Sequence, residues 1–290
     1  MVARALTLFI LSALIASCTV RTSEQRDAGV GSGRDTGVGI APDAQFADFG
    51  PIDASGCVAP IDLVFVLDVS TSMMGEFTHL RAGIGSIFAA AEALTTDHTF
   101  GLVVFVDDAL VVNGCSSFAT AAAVQTEFDH WRTFCASNGN PGGSGGMNTD
   151  CPENSLDAIY AAATTCTWRP GATHILIHVT DDTFRERPAV FSADAFQPGV
   201  PAQHTFAEVS TALLQAQIRV GAFAQLTPMN CGAGTSANTA RGFLTSYMSI
   251  DSLPTQTGGA AWDIADVRSG QLDMAAAINA LITASYCRPF

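Results

Sequence analysis

Residues 61–72 read Ile61-Asp62-Leu63-Val64-Phe65-Val66-Leu67-Asp68-Val69-Ser70-Thr71-Ser72. Residues 63–67 form an unbroken apolar run with two valines and a phenylalanine, the pattern of a strand covered on both faces. The run stops at Asp68, and hydroxyls follow at Ser70 and Ser72. On a strand-to-helix turn, Asp-x-Ser-x-Ser aims a carboxylate and two hydroxyls at one spot. Hard divalent cations take such oxygen clusters, and Mg²⁺ keeps some of its waters while doing so. In an open α/β sheet, ligands bind outside the carboxyl ends of the strands, where this turn falls. The plainer alternative is that Ser70 or Ser72 only caps the following helix.

Outward from this stretch, strands and helices alternate. The helical spacing of Leu80, Ile84, Ile87, Phe88 and Ala91 predicts a helix over 76–94, and 100–106 reads as a second buried strand. Asp107-Asp108 then turns the chain into 109–112, an antiparallel edge segment. A helix over 119–134 is followed by a Gly-rich loop over 137–147. Further along come a strand at 174–180, an insertion at 183–202, a helix at 206–217 and a strand at 218–224. The chain closes with a short helix at 239–248, a strand at 259–264 and a helix at 272–286. This order predicts an α/β, Rossmann-like, doubly wound sheet: mostly parallel, with one antiparallel edge strand and helices on both faces.

The composition narrows the function. The 290 residues are 48% hydrophobic and 14% charged, with a net charge of −14. All 13 basic residues are arginines. An acidic surface repels phosphate backbones, so nucleic acid is excluded as a partner class. Without lysine there is no P-loop and no kinase-type phosphate lysine.

The start of the chain stands apart. Arg4 precedes an apolar stretch too short to span a bilayer, which ends in Leu14-Ile15-Ala16-Ser17-Cys18. That ending resembles a bacterial lipobox, which implies a signal peptide over 1–18, lipidation of Cys18 and a membrane-anchored, exported protein. With Thr19 after the cysteine, the resemblance points to an outer-membrane lipoprotein. An ordinary signal peptide with an incidental cysteine is the alternative. Residues 19–56, rich in Gly, Asp and Ala, read as a flexible tether, leaving 57–290 as the folded domain.

Asp68-x-Ser70-x-Ser72 resembles the metal-ion-dependent adhesion site of von Willebrand factor A domains. The stretch 148–153, Asn148-Thr149-Asp150-Cys151-Pro152-Glu153, is similar to the I-like domain of integrin β subunits, as is 206–224. The resemblance implies that Ser70, Ser72 and Glu153 hold a Mg²⁺ or Mn²⁺, with Asp68 and Asp181 close behind. Asn148 and Asp150 would serve an adjacent Ca²⁺ site. The implied partner is a protein presenting an Asp or Glu carboxylate to the open metal position, so the expected function is metal-dependent adhesion or recognition. Glu153 could also simply favour a helix N-terminus. Integrin β subunits carry two adjacent acids for a third, regulatory ion; here Gly75 and Glu76 stand at those positions, and Glu76 is expected to be dispensable. His174 and His178 on the 174–180 strand read as satisfied core histidines rather than ligands. A metal-assisted hydrolase and a domain that keeps the motif only as scaffold are the competing readings.

Setting Cys18 aside leaves seven cysteines. The topology predicts Cys57–Cys287 and Cys115–Cys166 at the face away from the metal. Cys135 and Cys151 bracket the Gly-rich loop and form the third expected pair, with Cys231 left over as a free thiol or a competitor for either.

Overall fold

A computed structural model describes residues 57–191, 199–231 and 236–290. The signal, the lipidation site Cys18 and the tether lie outside the described residues. β1 (Ile61–Asp68) is buried along its whole length, as its apolar run requires. It pairs in parallel with β2 (His98–Phe105) on one side and β4 (Thr173–Val179) on the other. β3 (Ala109–Val111) runs antiparallel on the outer edge of β2. Beyond β4 lie β5 (Ile218–Ala224) and β8 (Ala260–Asp263), both parallel. The order β3-β2-β1-β4-β5-β8 is that of a doubly wound α/β sheet with one antiparallel edge, as the alternation predicts.

The chain leaves β1 in one direction, to β2 and β3, and afterwards in the other, to β4, β5 and β8. The topology therefore switches between β1 and β4, and a crevice opens at their carboxyl ends. Asp68 ends one of these strands and Thr180-Asp181 follows the other.

Side-chain alternation along β1 sends Leu63, Phe65 and Leu67 to one face and Val64 and Val66 to the other. The first face packs under α1 (Met74–Leu94), α2 (Ala121–Cys135) and α7 (Met274–Ser285). The second packs under α3 (Ser155–Thr165) and α4 (Phe206–Gln215). Phe65 anchors the first core: it is 1% exposed and meets Phe128 edge-on at 5.6 Å. Removing a ring buried this way costs about 3–5 kcal/mol.

Three disulfides join Cys57–Cys287, Cys115–Cys166 and Cys151–Cys231. The first two match the expected pairs. The expected Cys135–Cys151 bridge does not form. Cys135 is a free thiol buried in the core at the end of α2, whereas Cys151 faces the small hairpin of β6 (Met229–Asn230) and β7 (Ser236–Ala237). In the chain-entropy picture, the 230-residue loop closed by Cys57–Cys287 is worth on the order of 5 kcal/mol. Three such bridges fit an exported protein, since disulfides persist where the surroundings are oxidising. No helix among the described residues is long and apolar enough to cross a membrane.

The expected helix over 239–248 is absent. Gly242 has φ +76°, Met248 and Ser249 are also left-handed, and the segment folds as successive turns. A Cβ on Gly242 would lie 2.6 Å from Phe206 and 2.9 Å from Phe184, so the turn is built around the absence of a side chain. Its apolar residues, Phe243 above all, serve the second core and not a helical stripe.

Of the two histidines on β4, His174 is satisfied, its ring nitrogens lying 2.8 Å from the Ala216 carbonyl and 2.9 Å from that of Arg169. His178 departs from that expectation. It lies fully buried between Phe105 and Phe243, and neither ring nitrogen has a well-formed hydrogen bond. Burial pushes its pKa down to about 3, keeping the imidazole neutral.

Candidate metal centre

At the carboxyl end of β1, Asp68 is wholly buried and held on both oxygens. Its Oδ1 accepts the Ser70 backbone N–H at 2.8 Å, and its Oδ2 accepts the Thr180 hydroxyl at 2.7 Å. The chain then makes a 3₁₀ turn, Thr71–Met73, which runs into α1. Ser70 occupies the N-cap position of that turn but makes no capping hydrogen bond. Its hydroxyl lies 3.1 Å from that of Ser72, which donates to Asp181 Oδ1 at 2.8 Å. Both hydroxyls are therefore directed at the crevice rather than at the helix end, against the capping alternative.

The 148–154 segment crosses above β1. On one side, the Asn154 N–H donates to the Val106 carbonyl at 2.7 Å, and Asn154 Nδ2 donates to that of Asp107 at 2.9 Å. On the other, the Glu153 N–H donates to the Thr183 carbonyl beyond β4 at 2.8 Å. Glu153 is thus pinned between the two neighbours of β1, immediately before α3. Asn148 Nδ2 donates to Glu153 Oε1 at 2.6 Å, while Glu153 Oε2 is buried with no hydrogen-bond partner.

These carboxylates disturb one another. Burial, and after it the charge of Asp181, pushes the Asp68 pKa up to about 7, against the hydrogen bonds from Ser70 and Thr180. Glu153 is driven well above the carboxylate range, first by burial and then by Asp68, Asp182, Asp107 and Asp150. Asp182 rises to about 8, chiefly through burial. Like charges withdrawn from water raise each other's pKa until a cation or a proton neutralises them.

The structure brings together Asp68, Ser70, Ser72 and Asp181 by direct hydrogen bonds, and Asp68 and Glu153 by charge. Asn148 touches Glu153. Asp150 is placed differently: its Oδ2 lies 2.6 Å from Arg185 Nη2, so a guanidinium already stands at that carboxylate. Glu76, expected to be dispensable for binding, is 1% exposed and ion-paired with Arg268, so it has a structural role that the sequence did not announce.

Three residues at the centre escape the sequence reading. Asp107, wholly buried after β2, adds to the charge on Glu153. Its signal was its place at the carboxyl end of a strand adjacent to β1. Asn138, left-handed at φ +49°, accepts the Thr71 hydroxyl at 2.9 Å and donates to the Asn148 carbonyl at 2.9 Å, tying the serine turn to the Glu153 segment. An asparagine in a Gly-rich loop gives no warning of that role. Arg268 lies far along the chain and carries no motif.

The donor set is hydroxyl and carboxylate oxygen, the chemistry of a hard divalent cation. A buried, unpartnered Glu153 oxygen and mutually repelling acids fit such an ion. Among the described residues no three His, Cys, Asp or Glu side chains group closely enough to hold a metal by themselves. An ion here would therefore depend on the serine hydroxyls and on water.

No family model matches the chain. Over 146 residues, 43% of its length, it is 28% identical to human integrin beta-4, of which the match covers 8%. Similar solved structures include an aerotolerance-related membrane protein from Bacteroides fragilis (13% identity, TM-score 0.45, covering 77% of this chain and 98% of that one). The pilus adhesin SpaC from Lactobacillus rhamnosus GG has 14% identity and a TM-score of 0.42, covering 78% of this chain and 30% of that one. BatB from Bacteroides thetaiotaomicron, a conserved hypothetical protein, has 12% identity and a TM-score of 0.42, covering 76% of this chain and 98% of that one.

Proposed function

We propose that this is a von Willebrand A-type recognition module that captures a partner carboxylate through a divalent cation. The observation that carries the reading is the buried, unpartnered Glu153 Oε2, on a carboxylate coupled by charge to Asp68. Ser70, Ser72 and Glu153 would hold a Mg²⁺ or Mn²⁺, with Asp68 and Asp181 orienting the hydroxyls. When bound, the ion supplies an open coordination position for an Asp or Glu side chain of a partner protein. Asp68 fixes the Ser70 backbone, Asp181 fixes the Ser72 hydroxyl, and Asn148 fixes Glu153; outer partners of this kind set ligand geometry. The 28% identity with part of integrin beta-4 agrees with this reading. A Ca²⁺ at Asn148 and Asp150 would have to compete with Arg185.

Binding is preferred to hydrolysis because neither histidine of β4 stands beside the hydroxyls. His174 lies at the amino end of β4, and His178 lies in the core. The scaffold reading draws support from the lack of a group of three His, Cys, Asp or Glu ligands among the described residues. Titration calorimetry with Mg²⁺ and Mn²⁺ separates the two. Saturable binding that disappears in Ser70→Ala supports the cation centre, and no heat with either ion refutes it. Carboxylate-peptide capture with and without chelator then tests the partner chemistry. We place the module on a lipid anchor at Cys18, in the outer membrane. Cys18→Ser should move the protein from the membrane fraction to the soluble one, and retention in the pellet after a salt wash would refute the anchor.

A further inference from the structure

Arg268 closes the short helix α6 (Ile264–Arg268), far in sequence from the motif, yet its guanidinium lies between two buried carboxylates. Its Nε donates to Glu76 Oε1 on α1, and its Nη2 donates to Asp181 Oδ2 after β4 at 2.8 Å. Glu76 is 1% exposed and Asp181 2%. The other oxygen of Asp181 accepts the Ser72 hydroxyl at 2.8 Å, and that hydroxyl lies 3.1 Å from Ser70. One guanidinium thus reaches the serine pair through a single carboxylate. The pairing is also incomplete, because Glu76 Oε2 is buried with no hydrogen-bond partner. Two buried carboxylates against one guanidinium leave a net negative charge, and leaving such groups without a counter-charge is costly.

We propose that Arg268 is a built-in cation. It occupies a position beside the candidate centre that would otherwise draw a second divalent ion, and in doing so it positions Asp181 and Ser72. The proposal rests on the cation-centre reading above for what Asp181 and Ser72 serve, but it makes a separate claim about charge. A guanidinium is always protonated and forks to two acceptors, so it holds both carboxylates without coming and going with ion concentration. Removing it should uncover an oxygen pair, Glu76 and Asp181, suited to Ca²⁺.

The test counts ions. Native mass spectrometry with Ca²⁺ alone, and melting in chelator and in Ca²⁺, are run on wild type, Arg268→Gln and the double variant Arg268→Gln with Glu76→Gln. Arg268→Gln should carry one Ca²⁺ more than wild type. In chelator it should melt lower by roughly 5–10 °C, and Ca²⁺ should recover most of that loss. The double variant, with a neutral amide at each position, should fold in chelator and carry no extra ion. An unchanged ion count in Arg268→Gln overturns the proposal, as does an extra ion in the double variant. Wild type with no Ca²⁺ and Arg268→Gln with one would uphold Arg268, and the central site stands or falls separately on the Mg²⁺ and Mn²⁺ calorimetry above. Should Arg268→Gln fail to fold in chelator, recovery on adding Ca²⁺ supports the proposal and continued failure overturns it.

Discussion

Glu153→Gln should make the metal-free protein more stable and the metal-loaded protein less so. Glu153 is 1% exposed; its Oε1 accepts from Asn148, and its Oε2 has no partner among surrounding acids. Glutamine keeps the Asn148 contact and makes permanently neutral a group whose ionisation burial and the charges of Asp68 and Asp182 oppose. An unsatisfied buried polar atom costs about 1–3 kcal/mol, so neutralising the group should be worth about 2 kcal/mol. For a domain of this size that raises Tm by roughly 4–8 °C. Mg²⁺ at a hundredfold excess over its Kd should stabilise wild type by about 2.7 kcal/mol through mass action, and the variant should lose that gain. The melting curves should therefore cross: the variant above wild type in chelator, below it in saturating Mg²⁺. Thermal melts under both conditions decide the matter. If Glu153→Gln melts below wild type in chelator, or keeps the full Mg²⁺ shift, the reasoning about Oε2 is wrong.

Acid should weaken the fold through His178. In the unfolded chain its imidazole takes a proton near pH 6.5, while burial delays this to about 3 in the folded protein. Stability is therefore lost as pH falls from about 6.5 toward 3, by up to about 1.4 kcal/mol per pH unit. Guanidinium unfolding at stepped pH should show a shallower slope for His178→Leu, and an equal slope refutes the assignment. Asn148→Ala should weaken Mg²⁺ binding, because it frees Glu153 Oε1, yet less than Glu153→Ala does; calorimetry giving equal losses would make Asn148 a direct ligand. Cys231→Ser should lower Tm and weaken Mg²⁺ affinity together, because Cys151–Cys231 ties down the segment that carries Glu153. A Tm loss with unchanged affinity would uncouple the bridge from the centre.

The sheet was legible because burial on both faces writes a continuous apolar run, and β1 carries one from Leu63 to Leu67. The serine turn was legible because its oxygens are close in sequence as well as in space. The failures have a common cause in long-range packing. Cys135 and Cys151 bracket one loop, but the side chain of Cys135 turns into the core, a direction that spacing does not encode. Residues 239–248 carry apolar residues at helix-like intervals, yet Gly242 packs against Phe206 and Phe184 in a left-handed turn. Glu76 looked like the remnant of an acidic pair because its partner, Arg268, lies 192 residues away. His178 matched a core histidine in burial but not in hydrogen bonding, which depends on Phe105 and Phe243 from other elements.

The place of β1 in the sheet bears on the order in which the protein can be made. It is the first of the described strands to be synthesised, yet it ends between β2 and β4, and β4 begins only at Thr173. Asp68 and the serines are among the earliest domain residues to emerge. Glu153, Asp181 and Arg268 follow at wide intervals, and Cys57 waits longest, for Cys287. A growing chain therefore has no complete oxygen cluster to offer an ion, and an early thiol cannot find its native partner. Cation capture would mark a finished molecule, so an incomplete one would remain without affinity for its partner and open to proteolysis.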